Sequence, residues 1–218
     1  MTYQDILHDH AINVYIAQAD ASMEALGFTE HSFAHVRHVA QMAGDILKTL
    51  GYPDRTVELA RIAGYLHDIG NVVNRVDHSQ SGAVMSFRIL DRMNFPPEEI
   101  AAIVTAIGNH DEGTGVPVSA VAAALIIADK SDVRRSRVRS KADIKLDIHD
   151  RVNYAVTAAS LDIFPEESQI VLSLTIDTEI SPVMEYFEIF TKRMLLCRKA
   201  AQRLGCVFRL KINGQIVA

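Results

Sequence analysis

The chain alternates between helices apolar on one side and two segments apolar on almost every side. From Ser32 to Leu50, Val36, Val39, Ala40, Ala43, Ile46, Leu47 and Leu50 form one apolar stripe, which predicts an amphipathic helix ended by Gly51. The next segment differs. From Leu59 to Ile69 only Arg61, His67 and Asp68 are strongly polar, so no face is left for water and a buried helix is predicted. Ala120 to Ala128 repeats the pattern and runs into Asp129. Around these lie predicted helices at about Tyr3–Leu26, Ser79–Met93 (stopped by Pro96-Pro97), Glu98–Asn109 and Ile148–Leu161, with a polar stretch at 136–145 before the last. Beyond Pro165-Glu166-Glu167 the period changes. Ile170, Leu172, Leu174 and Ile176 alternate as in a strand, a helix follows from Pro182 to Leu204, and Cys206, Phe208, Leu210 and Ile212 alternate again. Asn213-Gly214 then signals a hairpin into Gln215-Ile216-Val217.

The predicted architecture is therefore mainly α, a helical bundle over residues 1–165, with a small C-terminal β-α-β-β unit over 166–218 that makes the whole α+β. So slight a sheet needs cover from the bundle or from a second copy, which makes a homodimer through this unit an expectation.

Buried carboxylates carry the chemistry. Desolvating an unpaired Asp costs several kcal/mol, so Asp68 and Asp129, each ending an apolar helix, both require a cation. At the C-terminal end of its helix, Asp129 also opposes the macrodipole. His-Asp pairs occur four times (His8-Asp9, His67-Asp68, His110-Asp111, His149-Asp150), but only the second lies in an apolar setting. His67 and Asp68 flank Gly64 one turn earlier, whose missing side chain leaves room for an ion or a close neighbour. A metal site is the natural reading. On the preceding helix His35 borders the apolar stripe, whereas His38 points away from it; His8, His10 and His149 read as surface histidines.

Composition narrows the setting. The 218 residues are 49% hydrophobic and 22% charged, as in a globular chain with a full core. No apolar stretch is long enough to span a bilayer and residues 1–10 carry acids and histidines, so the expectation is a cytoplasmic protein without membrane contact. Cys197 and Cys206 sit on a helix face and a strand and read as reduced packing residues. Net charge is −5, yet the segment from Lys130 to Lys141 holds six basic residues against Asp132. Such a segment suits a local anionic ligand or simple solvation, while the acidic remainder argues against broad nucleic-acid binding.

In order, His35, His67-Asp68, His78, His110 and Asp129 form a histidine and carboxylate series across several helices. With their contexts, His35-Val36-Arg37-His38-Val39-Ala40, Leu66-His67-Asp68-Ile69-Gly70-Asn71 and Ile127-Ala128-Asp129-Lys130, they resemble the HD-domain metal-dependent phosphohydrolase superfamily over roughly Ser32 to Ser136. The resemblance implies a first ion held by His35, His67, Asp68 and Asp129. His78 and His110 look like the extra ligands of its dinuclear branch, with Asp68 bridging two ions, and Asp111 and Glu112 are further candidates. That branch includes the HD-GYP cyclic-dinucleotide phosphodiesterases, but Asp111, Val116 and Asn71 stand where those enzymes carry a histidine, a tyrosine and a lysine.

Nitrogen and oxygen donors without thiolate suit one or two divalent ions, among them Mn, Fe, Co, Zn or Mg. The implied function is hydrolysis of a small phosphorylated substrate, a phosphomonoester or phosphodiester with nucleotides among the candidates, by a metal-activated water. Asp68 would be catalytic, with Lys130, and Arg134 a helical turn further on, stabilising phosphoryl charge. Two alternatives stay open: a di-iron oxygenase on the HD fold, which the same motif order also resembles, and a non-catalytic, metal-bound nucleotide-binding sensor that signals through the C-terminal unit.

Overall fold

The structure is a computed structural model that describes residues 1–139 and 148–217. The far end of the polar stretch, with Lys141, therefore lies outside the described residues. The order of elements is α1 (Tyr3–His8), α2 (His10–Ala25), α3 (Phe33–Thr49), α4 (Asp54–Leu66), α5 (His78–Arg92), α6 (Pro97–Gly108), α7 (Ala120–Lys130), α8 (Ile148–Ala155), β1 (Val156–Phe164), β2 (Gln169–Ile176), α9 (Val183–Arg203), β3 (Val207–Ile212) and β4 (Gln215–Ile216). The class is α+β with a predominantly helical body.

The centre is built from α3, α4 and α7. Every residue of α7 except Ala120 and Asp129 is buried, as the absence of a polar face requires. Helices α3 and α4 touch backbone to backbone at Gly64, where a Cβ would lie 2.6 Å from the Ala40 Cα. The missing side chain thus admits a close neighbour and not an ion. Gly70, in the 3₁₀ turn Ile69–Val72, does the same for α5, since a Cβ there would lie 2.0 Å from the His78 carbonyl oxygen. These two contacts set the distances between the segments carrying His35, His67, Asp68 and His78. No helix among the described residues is long and apolar enough to cross a membrane.

Three expectations are corrected. The first helix is split at Asp9, which takes an extended backbone (φ −71°, ψ 120°) and accepts a hydrogen bond from the Ile12 N–H at 2.9 Å. A short polar side chain offers the backbone this alternative to continuing a helix. Helix α7 stops at Lys130 with Ser131 as its cap, so Arg134 is not one turn further along it. The helix expected over Ile148–Leu161 ends at Ala155 and passes directly into β1.

Strand β1 escapes a periodicity reading because it is an edge strand, exposed over most of its length, and so lacks alternation. It pairs antiparallel with β2 (Ser160 opposite Ser173, Phe164 opposite Gln169), and Pro165 to Ser168 form the turn between them. The expected division at 165/166 falls within that turn. Strand β2 runs parallel to β3, which pairs antiparallel with β4, in the order β1-β2-β3-β4. The unit is therefore β-β-α-β-β. Helix α9 packs on β2 and β3 and also against α7, so the sheet is joined to the bundle through the helix that carries Asp129. Cys197 and Cys206 are buried free thiols.

Candidate metal centre

Six residues singled out in the sequence converge. His35 projects from α3, His67 caps the end of α4 and Asp68 follows it, His78 opens α5, His110 lies just past α6, and Asp129 occupies the last turn of α7. All but Asp129 are buried, and its side chain is only 12% exposed.

The imidazoles share one polarity. The Nδ1 atoms of His67, His78 and His110 lie 2.8, 3.1 and 2.6 Å from the carbonyl oxygens of Gly64, Arg75 and Ile107, and that of His35 lies 2.8 Å from Asp132 Oδ2. Carbonyl and carboxylate oxygens accept, so each Nδ1 donates and Nε2 is the ring atom turned to the interior. Those of His35 and His67 are buried and accept no hydrogen bond. They face the carboxylates instead. His35 Nε2 is 3.4 Å from Asp129 Oδ1 and 3.6 Å from Asp68 Oδ2, and His67 Nε2 is 3.3 Å from Asp68 Oδ2 and 3.6 Å from Asp129 Oδ1. A charge-assisted hydrogen bond would be about 2.7–2.9 Å. Ligands placed about 2.1 Å from a common ion stand about 3.0–3.5 Å apart, close to what is seen.

A second grouping shares Asp68. Its other oxygen, Oδ1, is 3.6 Å from His78 Nε2, and the Nε2 atoms of His78 and His110 approach to 3.2 Å. With both Nδ1 atoms already donating, two neutral rings have no proton to share there, and a cation would relieve the facing lone pairs. Two donor sets, His35/His67/Asp129 and His67/Asp68/His110, each have ligand atoms within 4.8 Å of one another. The donors present thus fit a divalent metal.

Electrostatics agree. Burial pushes the Asp68 and Asp129 carboxyls up, but His67 and His31 around Asp68, and Lys130 and His35 around Asp129, hold both well below the usual range. Burial likewise opposes a charged His67, yet the two carboxylates outweigh it and push the ring up to about 10. The cluster draws positive charge to this point. His110, depressed to about 3 by burial and by the nearby His67 and Lys130, remains a neutral donor.

Other expected site residues are engaged differently. Lys130 is buried, its Nζ 2.6 Å from Glu112 Oε2 and 2.8 Å from Asp129 Oδ2, so its charge is spent on two carboxylates and not held for phosphate. Arg134 grips Asp132, with Nε 2.5 Å from Oδ1 and Nη2 2.9 Å from Oδ2. Glu112 pairs with Lys130 and, through Oε1 at 3.0 Å, with Arg193 Nε of α9. Asp111 accepts the Gly113 N–H at 2.9 Å. His149, read as a surface histidine, lies on the wall of the cavity at the centre.

Two participants escaped the sequence reading. His31 is buried, its Nδ1 2.6 Å from the Thr29 carbonyl and its Nε2 4.0 Å from Asp68 Oδ2. Its spacing of four from His35 was the available signal, but it precedes the helix cap Ser32 and is brought inward by a loop bond from its N–H to Asp20 at 2.8 Å. Asp132, counted only against the basic residues, orients His35. Replacing it with Asn should weaken metal binding by about 10–100-fold, the usual effect of losing such a partner, as read by titrating metal into chelator-treated protein. Unchanged affinity would count against His35 as a ligand.

The site opens into a cavity of about 430 Å³, lined on one side by the Leu26–Thr29 loop and on the other by α8 and α9. The HD domain family model matches residues 32–155, more than half the chain, and the chain belongs to that family, within the HD-domain metal-dependent phosphohydrolase superfamily. It is 26% identical over 185 residues to an uncharacterized protein of Methanocaldococcus jannaschii, covering 74% of this chain and 69% of that one. A crystal structure titled a predicted HD superfamily hydrolase, from an uncultured Thermotogales bacterium, shares 23% identity over 67% of this chain and 80% of its own, with a TM-score of 0.47.

Proposed function

We propose that the protein is a phosphohydrolase with a dinuclear metal centre, cleaving a small phosphomonoester or phosphodiester, nucleotides included. The observation that carries this is the inward Nε2 polarity of His35, His67, His78 and His110 around the two oxygens of Asp68. His35, His67, Asp68 and Asp129 would hold one ion, and His78 and His110 a second, with Asp68 between them. Divalent ions so held would polarise phosphate oxygens and make a water nucleophilic near neutral pH.

The chain's own residues prepare the rest. Asn71 donates to Asp68 Oδ1 at 2.9 Å and steadies the proposed bridge. Substrate charge is better served by Arg137 than by Lys130 and Arg134. It lines the cavity, and the hydrogen bonds seen for this buried side chain go to the carbonyl oxygens of Glu30 and Asp132, so its positive charge is left for an anion, whereas Arg75 on the same wall lies 3.9 Å from Asp68 Oδ1.

The test combines metal analysis of protein purified without added metal with phosphate release from a panel of phosphoesters under nitrogen. About two ions per chain and oxygen-independent release are expected. Oxygen consumption with bound iron and no phosphate release would assign the oxygenase chemistry, and nucleotide binding without turnover would assign a sensor.

A further inference from the structure

We propose that the C-terminal β-β-α-β-β unit is a working part of the metal centre, in which Arg193 of α9, acting through Glu112 and Lys130, sets the orientation of Asp129. This rests on the reading of Asp129 as a metal ligand. Four side chains of alternating charge run inward from α9 without a gap. Arg193 Nε donates to Glu112 Oε1 at 3.0 Å, Lys130 Nζ lies 2.6 Å from Glu112 Oε2, and the same Nζ lies 2.8 Å from Asp129 Oδ2. Asp129 is thereby divided, with Oδ2 given to Lys130 and Oδ1 turned toward His35 and His67. A carboxylate held by one oxygen cannot rotate freely, so one lone-pair set stays aimed at the ion.

The chain of contacts also reaches a second ligand. Glu112 lies two residues after His110, and fixing Glu112 fixes the loop on which that imidazole stands. One guanidinium therefore restrains both the His110 and the Asp129 segments. Arg193 itself is held by the ring of Phe190, one turn earlier on α9, with its Cζ 4.8 Å from the ring centroid. Phe190 is buried in the core that α9 shares with the sheet. Glu112 and Lys130 are strongly coupled, since burial would neutralise each alone while the opposite charges keep Glu112 well below, and Lys130 above, their ordinary ranges. Removing Arg193 leaves Glu112 to be shared differently and loosens Lys130, with the effect arriving at Asp129.

The test is cobalt(II) titration of the chelator-treated full chain, read by visible absorption and calorimetry, with Arg193→Gln, Arg193→Lys, Glu112→Gln and the double variant Arg193→Gln/Glu112→Gln. Arg193→Gln should weaken at least one equivalent of cobalt by about 10–100-fold and change its spectrum, Arg193→Lys should recover part of the loss, and the double variant should be no worse than its poorer single parent. Exposed Lys192 on the same helix is the control, and Lys192→Gln should bind as wild type. Wild-type affinity and spectrum in folded Arg193→Gln, or additive losses in the double variant, would overturn the proposal. If Arg193→Gln does not fold, Glu112→Gln decides, because it cuts the same chain of contacts from a loop. Unchanged cobalt binding with intact phosphate release would sink this inference alone; the predicted losses without any hydrolysis would sink only the phosphohydrolase reading.

Discussion

Asp68→Asn is expected to reduce any phosphoester turnover to background and to abolish the rise in melting temperature expected when divalent metal is added to the wild type. Among the described residues, Asp68 is the one carboxylate whose two oxygens face different imidazoles, Oδ2 toward His35 and His67 and Oδ1 toward His78. The amide keeps the shape but removes the charge and turns one of those oxygens into a donor, so the loss should exceed the roughly 10–100-fold seen when a supporting partner is removed. A ligand present at 100 times its dissociation constant stabilises a fold by about 2.7 kcal/mol, or about 5–11 °C for a chain of this size. The variant should show none of this increment in melts with and without chelator. Asp9→Asn, in another His-Asp pair, is the control, because Asp9 caps α2 and should leave metal binding intact. Retention of two ions by Asp68→Asn would rule out its bridging role.

Gly70→Ala is expected to be the most damaging small substitution. The added methyl would lie 2.0 Å from the His78 carbonyl oxygen and 2.4 Å from the Gly82 nitrogen, both backbone atoms that no rotamer change can move aside. Overpacking of this kind costs about 1–3 kcal/mol, and the upper end applies where only a helix shift relieves it, giving a melting point lower by about 6–12 °C. The element that must move is α5, which carries His78, so the variant should also lose one equivalent of metal while the ion at His35, His67 and Asp129 stays. Denaturant unfolding together with metal analysis would test both parts. Wild-type stability with two ions bound would show that the approach of α5 is looser than the structure has it.

Local pattern determined much of this protein. Two segments without a polar face must be buried, and carboxylates at their ends must be paired, so α4, α7, Asp68 and Asp129 follow from desolvation alone. The stripe on α3 placed His35 inward for the same reason. What sequence could not decide depends on contacts between distant segments. Strand β1 is an edge, and only its pairing with β2 distinguishes Ala158 and Ala159 from a helical continuation. Lys130 and Arg134 read as cations near an anionic ligand until the fold supplies Glu112, Asp129 and Asp132 as their partners. Asp132 itself becomes visible only because α7 and α3 pack together and bring it to His35 across 97 positions of sequence. Hydrophobic period reports which face of a helix is dry; which charge meets which inside that dry space is settled by tertiary packing, where a few ångströms decide between a free cation and a neutralised one.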